Sequence, residues 1–201
     1  MTSTKPRLTA EERRAAVLGC ACGIFSKGGY RGTTTAEIAR QAGVTEPILY
    51  RHFDSKRDLY LSCLQHAWEA CQDMWEKAVA DEPDPALWVG AMGRAYLEAR
   101  DKRGLIATLW VQALTEASDD AEIRRYLKRH MREVHDFVSA VIRRSQESGG
   151  IPKDRDPEAE AWIFISIGLL QTVSKRLGGM LDDEFPRIAT ARRRWLTGKD
   201  A

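Results

Sequence analysis

The sequence predicts an all-α protein of about nine helices. Residues that begin and end helices recur along the whole chain, with Ser, Thr or Asp before the apolar-periodic segments and Gly or Pro after them. Within these segments, apolar residues recur three or four positions apart, as on one face of a helix. No run of alternating apolar and polar residues is long enough to predict a strand.

Four helices are predicted in the first 80 residues. Each starts at a hydroxyl residue that can accept a hydrogen bond from the first turn. These predicted N-caps are Thr9, Thr34, Thr45 and Ser55. Thr9 and Thr34 are each followed by Glu three positions later, as in a capping box. Gly28-Gly29 and Gly43 are predicted to end the first two helices, because Gly adopts the conformation that follows a helix.

The fourth predicted helix, about 56–80, has apolar residues on two sides. One stripe consists of Leu59, Cys63, Ala67, Ala70 and Met74, and the other of Leu64, Trp68, Cys71, Trp75 and Val79. A helix that is apolar on two sides is largely buried. We therefore expect this helix to join the N-terminal part of the protein to the rest.

Five further helices are predicted after a proline-rich break at 81–85. Their expected ranges are near 85–100, 104–117, 119–148, 156–177 and 183–196. Asp119 is the expected N-cap of the longest of them, with Glu122 as its partner in the first turn. Asp156-Pro157 begins the next helix, since Asp caps well and Pro fits the first helical position.

The segment 34–53 has the pattern of a helix-turn-helix. Ile38, Ala39 and Leu49 would form its inner face, Gly43 would permit the tight turn, and Val44 would fill the space beneath it. A helical corner that binds no DNA has the same central pattern. The flanking residues favour DNA binding, because several of them can donate hydrogen bonds to phosphates. These donors are Thr34, Thr35, Tyr50, Arg51, His52 and Lys56.

Residues 9–60 resemble the DNA-binding head of the TetR family of repressors. The matching motifs are F-x₃-G-Y-x-G-T-T from Phe25, I-A-x₂-A-G-V from Ile38 and L-Y-x-H-F-x-S-K from Leu49. The resemblance implies a three-helix DNA-binding head, residues 1–55, on an effector-binding and dimerisation body, residues 56–201. Beyond residue 60 only the helical layout is similar to the family.

The resemblance also implies roles for individual residues of the head. Thr45 and Glu46 would begin the recognition helix, where family members face base edges or phosphates. Many members have Lys-Gly or Arg-Gly after the Ser or Thr, whereas this chain has Glu46-Pro47. A carboxylate there can accept from a cytosine amino group but repels phosphates. The expected DNA contacts are Thr34, Thr35, Thr45, Glu46, Pro47, Tyr50, Arg51, His52 and Lys56.

Charge and composition agree with a nucleic-acid-binding head. The net charge is +2, but residues 1–60 hold ten Lys/Arg and six Asp/Glu. The four cysteines lack zinc-site spacing and are expected to be reduced and mostly buried. The N-terminus lacks the apolar stretch of a signal peptide, and the apolar run 161–173 is too short to span a bilayer. A cytoplasmic protein with no membrane partner is expected.

All six tryptophans follow residue 60, and together with other aromatics they predict an effector site in the body. By resemblance, family members bind ligands among their middle helices. An aromatic lining favours a flat or hydrophobic effector, although each of these residues could equally be core. The candidates are Trp68, Cys71, Trp75, Trp88, Met92, Tyr96, Trp110 and Phe137. Possible polar contacts are His66, Gln112, His130 and His135.

The last two helices are predicted to form a homodimer interface. The helix from Asp156 is unusually apolar, and one of its faces consists of Ile163, Ile167, Leu170 and Ser174. Paired with the final helix, it would supply half of a four-helix bundle. Such a dimer has two-fold symmetry and would read a pseudo-palindromic operator. The run Arg192 to Arg194 is expected to be a solvated face.

These observations predict a ligand-responsive repressor that is released from its operator when effector binds. The effector would favour a state in which the two heads are displaced from the spacing of the grooves. One alternative is a helical protein-interaction module with a non-functional DNA head. An enzyme is the least favoured class, because the sequence has no nucleophile elbow, phosphate loop or dinucleotide fingerprint. No catalytic residue, cofactor or metal site is predicted.

Overall fold

The protein is helical throughout the part that the structure describes. This computed structural model describes the backbone of residues 9–103 and 105–199, and the side chains within these ranges except 99–107. The described residues form nine α-helices and one short 3₁₀ turn at Pro85–Leu87, and no strand. The helices are α1 Ala10–Gly28, α2 Thr35–Gln41, α3 Glu46–Leu49, α4 Lys56–Ala80, α5 Trp88–Arg103, α6 Leu105–Glu116, α7 Ala121–Glu147, α8 Pro157–Arg176 and α9 Phe185–Thr197. The all-α prediction is confirmed.

The helices group into two compact units. Of the described residues, 9–69 and 105–124 belong to the first unit, and 70–103 and 125–199 belong to the second. Helix α4 contributes to both units, since its residues 56–69 belong to the first and 70–80 to the second. The expected boundary between head and body at residues 55 and 56 stays a prediction.

The predicted capping box of α1 is present. The Glu12 backbone N–H donates to Thr9 Oγ1 at 3.2 Å, and the Thr9 N–H donates to Glu12 Oε2 at 2.8 Å. These bonds from Thr9 lower the pKa of Glu12. The helix ends as predicted at Gly29, whose positive φ of 67° suits a residue without a Cβ.

The starts of α4 and α8 also follow the sequence signals. Ser55 Oγ accepts from the Asp58 N–H at 3.0 Å, and Asp58 reaches back to the N–H of Asp54 at the same distance. Asp156 caps α8 by accepting from the N–H groups of Glu158 and Ala159. Pro157 occupies the first turn, where its missing N–H costs little.

The N-cap of α7 is Asp120, so the prediction of Asp119 is wrong by one residue. Asp120 Oδ1 accepts from the N–H groups of Glu122 at 2.9 Å and Ile123 at 3.1 Å. Burial raises the pKa of Asp120, but these bonds and Arg57 outweigh it and lower the pKa. Asp119 instead pairs with Arg31. Glu122 is therefore at the second helical position, where it binds Arg57 rather than closing a capping box.

The second unit contains a buried ion pair between α8 and α9. The Glu160 carboxylate, 5% exposed, pairs with Arg192 and accepts from Trp195 Nε1 at 3.0 Å. Burial and nearby Arg155 lower the pKa of Arg192 to about 10. Arg192 thus does not belong to a solvated face as expected, whereas Arg193 and Arg194 are exposed. The pairing fixes α9 against α8.

None of the helices in the described ranges combines the length and apolar character needed to cross a membrane.

Candidate nucleic-acid interface and aromatic cluster

Helices α2 and α3 form the predicted helix-turn-helix. Ile38, Ala39 and Leu49 are buried between them, each 2% exposed or less. The turn passes through Gly43 with a φ of +69°, a conformation that side chains disfavour. The Val44 N–H then donates to the Ala39 carbonyl at 2.9 Å. The sequence therefore indicated the inner residues of this corner correctly.

A chain of side-chain hydrogen bonds connects the starts of the two helices. Thr35, the first residue of α2, donates its hydroxyl to Glu46 Oε1 at 2.6 Å. Glu46 is the first residue of α3. The Thr35 Oγ1 also lies 3.1 Å from the hydroxyl oxygen of Tyr50, which is 45% exposed. Sequence reasoning named all three residues but not the contacts between them.

The remaining candidates on the corner surround α3. Thr34 caps α2 by accepting from the Glu37 N–H at 3.2 Å. Thr45 occupies the N-cap position of α3, but in the part of the chain described its side chain makes no capping hydrogen bond. Pro47 and Arg51 are exposed, and His52 is half-buried.

Lys56, the first residue of α4, contacts an aromatic ring. Its Nζ lies 4.6 Å from the ring centroid of Tyr30, and burial lowers the pKa of Lys56. Tyr30 also packs against Tyr60 with ring centroids 5.1 Å apart. The motif that carried the family resemblance includes Tyr30, but its contact with Lys56 is long-range and has no local signal.

Two arginines near the helix-turn-helix pair with acidic residues at the corner between α6 and α7. Arg31 binds Glu116 at 3.0 Å and also Asp119. Arg57 binds Asp120 at 2.8 Å and Glu122 at 2.7 Å. We name Glu116, Asp119, Asp120 and Glu122 the acidic corner. These contacts lie within the first unit and hold its two sequence segments together.

An aromatic cluster forms in the second unit around Trp75. Its ring centroid lies 6.4 Å from Tyr96, 5.8 Å from Phe137 and 5.6 Å from Phe164. The four residues come from α4, α5, α7 and α8, one from each helix. Phe164 was not among the sequence candidates. The sequence could have indicated Phe164, because α8 also has apolar residues outside the face that was predicted to form the dimer interface.

The other effector candidates lie in both units. Trp68 and Trp110 belong to the first unit, whereas Cys71, Trp88 and Met92 belong to the second. Trp68, Cys71 and Met92 are buried. The Trp88 Nε1 donates to the Glu82 carbonyl at 2.9 Å, and its ring lies beneath Arg144.

The four residues predicted as possible polar contacts of the effector have different surroundings. His66 is exposed, and Gln112 donates to the Ser26 carbonyl at 3.1 Å. His130 stacks on Tyr126, and burial lowers its pKa to about 4. His135 stacks on Trp162 with centroids 4.5 Å apart.

His135 also lies between two carboxylates. Its Nδ1 is 3.1 Å from Asp136, and its Nε2 is 3.3 Å from Glu158. These acids face different ring nitrogens, and Glu158 also pairs with Arg143. A metal ion binds one imidazole nitrogen, so this arrangement fits hydrogen bonding of a buried histidine better than a metal site.

The four cysteines are free thiols, as predicted. Cys22, Cys63 and Cys71 are buried, and Cys20 is half-buried. Burial raises the pKa of Cys71 to about 12, which disfavours the reactive thiolate.

Helix α8 and the segment after it expose a row of large apolar side chains. These residues are Trp162, Ile163, Leu170, Val173, Leu177 and Met180. Ser174, expected on the same face, is buried and accepts from the Leu181 N–H at 2.9 Å. The exposed row therefore continues through Val173 and Leu177 rather than through Ser174.

Two family models match the sequence in tandem. Residues 18–63 match the model described as bacterial regulatory proteins, tetR family, and residues 85–167 match BetI-type transcriptional repressor, C-terminal. The first match contains the helix-turn-helix, and the second contains α5, α7 and the first half of α8, with three of the four residues of the aromatic cluster.

Named relatives match either most of the chain or a short segment of it. The regulator TtgR of Pseudomonas putida is 28% identical over 194 residues, which covers 86% of this chain and 91% of that protein. The activator FasR of Mycolicibacterium smegmatis is 48% identical over 59 residues, which covers 29% of this chain and 27% of FasR. The solved structure of FadR from Bacillus subtilis, in complex with stearoyl-CoA, has a TM-score of 0.71 at 13% identity and covers 91% of this chain and 97% of its own. That likeness shows the fold.

Proposed function

The chain belongs to the TetR family of bacterial transcriptional regulators, and from this premise we propose that it is a repressor released from a palindromic operator by a small hydrophobic or aromatic effector. As a family member it is a ligand-responsive DNA-binding regulator. The C-terminal match to a repressor model favours repression. The activator FasR shares only a segment of 59 residues with this chain.

The observation that carries DNA binding is the helix-turn-helix with its Gly43 turn. Buried Ile38, Ala39 and Leu49 fix the angle between α2 and α3. The second helix of such a corner enters the major groove, and its neighbours contact phosphates. We assign operator contact to the set predicted from the sequence, namely Thr34, Thr35, Thr45, Glu46, Pro47, Tyr50, Arg51, His52 and Lys56.

The aromatic cluster supports the effector class. Trp75, Tyr96, Phe137 and Phe164 present large apolar surfaces from four helices of one unit. Such a lining favours a ligand with substantial apolar area. The similarly folded FadR binds stearoyl-CoA, a ligand with a long apolar chain. Trp68, Cys71, Trp88, Met92 and Trp110 stay candidate effector contacts.

The exposed apolar row on α8 supports a homodimer through α8 and α9. Contiguous exposed apolar side chains mark interaction sites on soluble proteins. A two-fold dimer would place two heads on one duplex and so require a palindromic operator. Because the proposed operator is chromosomal DNA, the protein would act in the cytoplasm.

Release would work by a shift between two states of the dimer. Helix α4 contributes to both compact units, so an effector bound beside Trp75 acts on the helix that begins at Lys56. If the effector binds the operator-free protein 100-fold more tightly than the operator-bound protein, saturating effector lowers operator affinity by the same factor.

A gel-shift assay with genomic fragments tests the proposal. At low salt the protein should retard a fragment that contains a palindrome, and log affinity should fall linearly with log salt as counterions are released. If no genomic fragment is bound at low salt, the protein is not a DNA-binding regulator. A helical interaction module would then be the better interpretation.

A further inference from the structure

We propose that Glu46 reads a cytosine in the operator, and that Thr35 and Tyr50 hold its carboxylate in place for this contact. The inference rests on the proposed operator binding and names the base that the site selects. It is carried by the hydrogen bonds that join Thr35, Glu46 and Tyr50, not by the position of Glu46 at a helix end.

The directions of these hydrogen bonds follow from which atoms can donate. An ionised carboxylate only accepts, so the 2.6 Å bond between Thr35 Oγ1 and Glu46 Oε1 uses the single hydroxyl hydrogen of Thr35. Thr35 must therefore accept in its 3.1 Å contact with the Tyr50 hydroxyl. The hydrogens run in one direction, from Tyr50 to Thr35 to Glu46.

This arrangement changes what the surface offers to DNA. The hydroxyl hydrogens of Thr35 and Tyr50 are engaged by protein, so neither acts as the phosphate donor expected from the sequence while the chain of bonds is intact. Their part in operator contact is then to position Glu46. The site at the start of α3 is instead an acceptor with negative charge. Phosphates also only accept, so they are disfavoured there.

The base that complements such an acceptor is cytosine. In the major groove the cytosine N4 amino group is a donor, and Glu or Asp accepts from it. Adenine N6 is also a donor, but its neighbouring N7 is an acceptor that would lie against the carboxylate. With Oε1 engaged by Thr35, we assign Oε2 as the atom that accepts from N4.

The hydrogen bond from Thr35 also explains why Glu46 is tolerated on a helix that would face DNA. A free glutamate rotates about three side-chain bonds, and ordering it on binding costs entropy. Here the bond to Thr35 fixes the carboxylate before DNA arrives, and Tyr50, one turn after Glu46 on the same face, fixes Thr35.

Selection from a pool of random duplexes tests the inference. We expect the wild-type protein to enrich a palindrome with cytosine at one position of each half-site, roughly 10-fold over the other bases. Glu46→Gln keeps the oxygen that accepts from Thr35 but replaces the second acceptor by a donor, so it should lose the cytosine and enrich adenine or guanine there. Thr35→Val should weaken the cytosine preference without abolishing binding.

Glu37→Gln is the matched control, since it removes the same charge from α2 outside this chain of bonds. It should select the same sequence as the wild type. If the wild type enriches no sequence, the proposed function fails. If it enriches a palindrome that Glu46→Gln selects unchanged, operator binding stands and the role of Glu46 is refuted.

A base analogue tests the contact between Glu46 and cytosine even if the Glu46→Gln variant fails to fold or to bind DNA. The selected cytosine is replaced by N4-methylcytosine, which keeps the hydrogen that pairs with guanine and carries a methyl group in place of the hydrogen that faces the major groove. Wild-type affinity should fall roughly 10-fold, the size of one lost base contact. Unchanged affinity for this duplex would refute the inference.

Discussion

Gly150 lies where the neighbouring backbone leaves no room for a side chain. A Cβ there would lie 2.5 Å from the Ala86 backbone nitrogen and 2.7 Å from Ser145 Oγ. Ser145 in turn donates to the Pro85 carbonyl at 2.7 Å, so it cannot move without losing that bond. Gly150→Ala should lower the free energy of unfolding by about 2 kcal/mol, in the range of other overpacked sites.

Gly19→Ala is the control for this substitution. Gly19 lies inside α1, and a Cβ there would meet nothing within 4 Å. Alanine should stabilise the helix by about 0.5–1 kcal/mol, because it loses less backbone entropy than glycine. Urea unfolding of both variants measures the difference. Equal effects of the two substitutions would contradict the close packing at Gly150.

His130 should make stability depend on pH below neutrality. Burial lowers its pKa to about 4, whereas an unfolded histidine has a pKa near 6.5. Between these values the unfolded chain binds a proton that the folded protein does not. The free energy of unfolding should therefore fall by about 2 kcal/mol from pH 7.5 to pH 5 through this residue alone.

Urea unfolding of His130→Gln at both pH values isolates this contribution. Other titrating groups are common to both proteins, so the variant should lose less stability than the wild type over the same pH interval. An identical loss in the two proteins would show that His130 titrates normally in the folded state.

At the scale of helices, the sequence predicted the helix starts that depend on hydrogen bonds between residues close together in the chain. The caps Thr9, Ser55 and Asp156 act on backbone atoms two or three residues away, so local spacing identifies them. The choice between Asp119 and Asp120 was different. Both can cap α7, and Arg31, distant in sequence, pairs with Asp119. Local spacing holds no information about that partner.

For the candidate sites, too, the sequence indicated residues whose pattern is local but not contacts between distant parts of the chain. The residues of the helix-turn-helix were predicted because their pattern is contained in twenty positions. The bonds among Thr35, Glu46 and Tyr50 depend on how closely α2 approaches α3, which spacing alone does not determine. Phe164 joins the aromatic cluster from a helix far along the chain, so its assignment required the packing of four helices.

The ion pairs between Arg57 and the acidic corner should stabilise the first unit modestly. Arg57 binds Asp120 and Glu122, but its side chain is 43% exposed and solvent screens the charges. A double-mutant cycle with Arg57→Gln and Glu122→Gln should give a coupling of about 0.5 kcal/mol, as for other exposed pairs. The coupling should decrease at 1 M salt, since screening shortens the reach of charge interactions.

Thermal or urea unfolding of the wild type, both single variants and the double variant completes this cycle. A coupling near zero at low salt would mean that the contacts do not hold α4 and the corner together. A coupling that is unaffected by salt would point to packing rather than charge.

At the scale of the whole molecule, the apolar row on α8 predicts that a charge there disrupts the proposed dimer. Leu170 is 43% exposed, and a second copy would cover it. Leu170→Glu should convert the proposed dimer to monomer, because each copy would bury an unpaired carboxylate in the interface. Sedimentation equilibrium measures the change, and operator affinity should fall with it.

Leu114→Glu is a matched control for that variant. Leu114 lies on α6 and is 45% exposed, so the same residue type changes at nearly the same exposure. It should leave the association state unchanged. Dissociation by Leu114→Glu, with Leu170→Glu still dimeric, would move the interface away from α8.

The length of helix α4 determines how far its Lys56 end moves when the helix rotates slightly about its other end. Its 25 residues form a rod about 38 Å long at 1.5 Å per residue. A rotation of about 5° around the end at Ala80 therefore carries the end at Lys56 sideways by about 3 Å, from the length of the rod alone. That distance is close to the spacing of one base pair along the duplex axis. In the proposed release mechanism, a slight tilt of this rod would therefore be enough to put a head out of register with its groove.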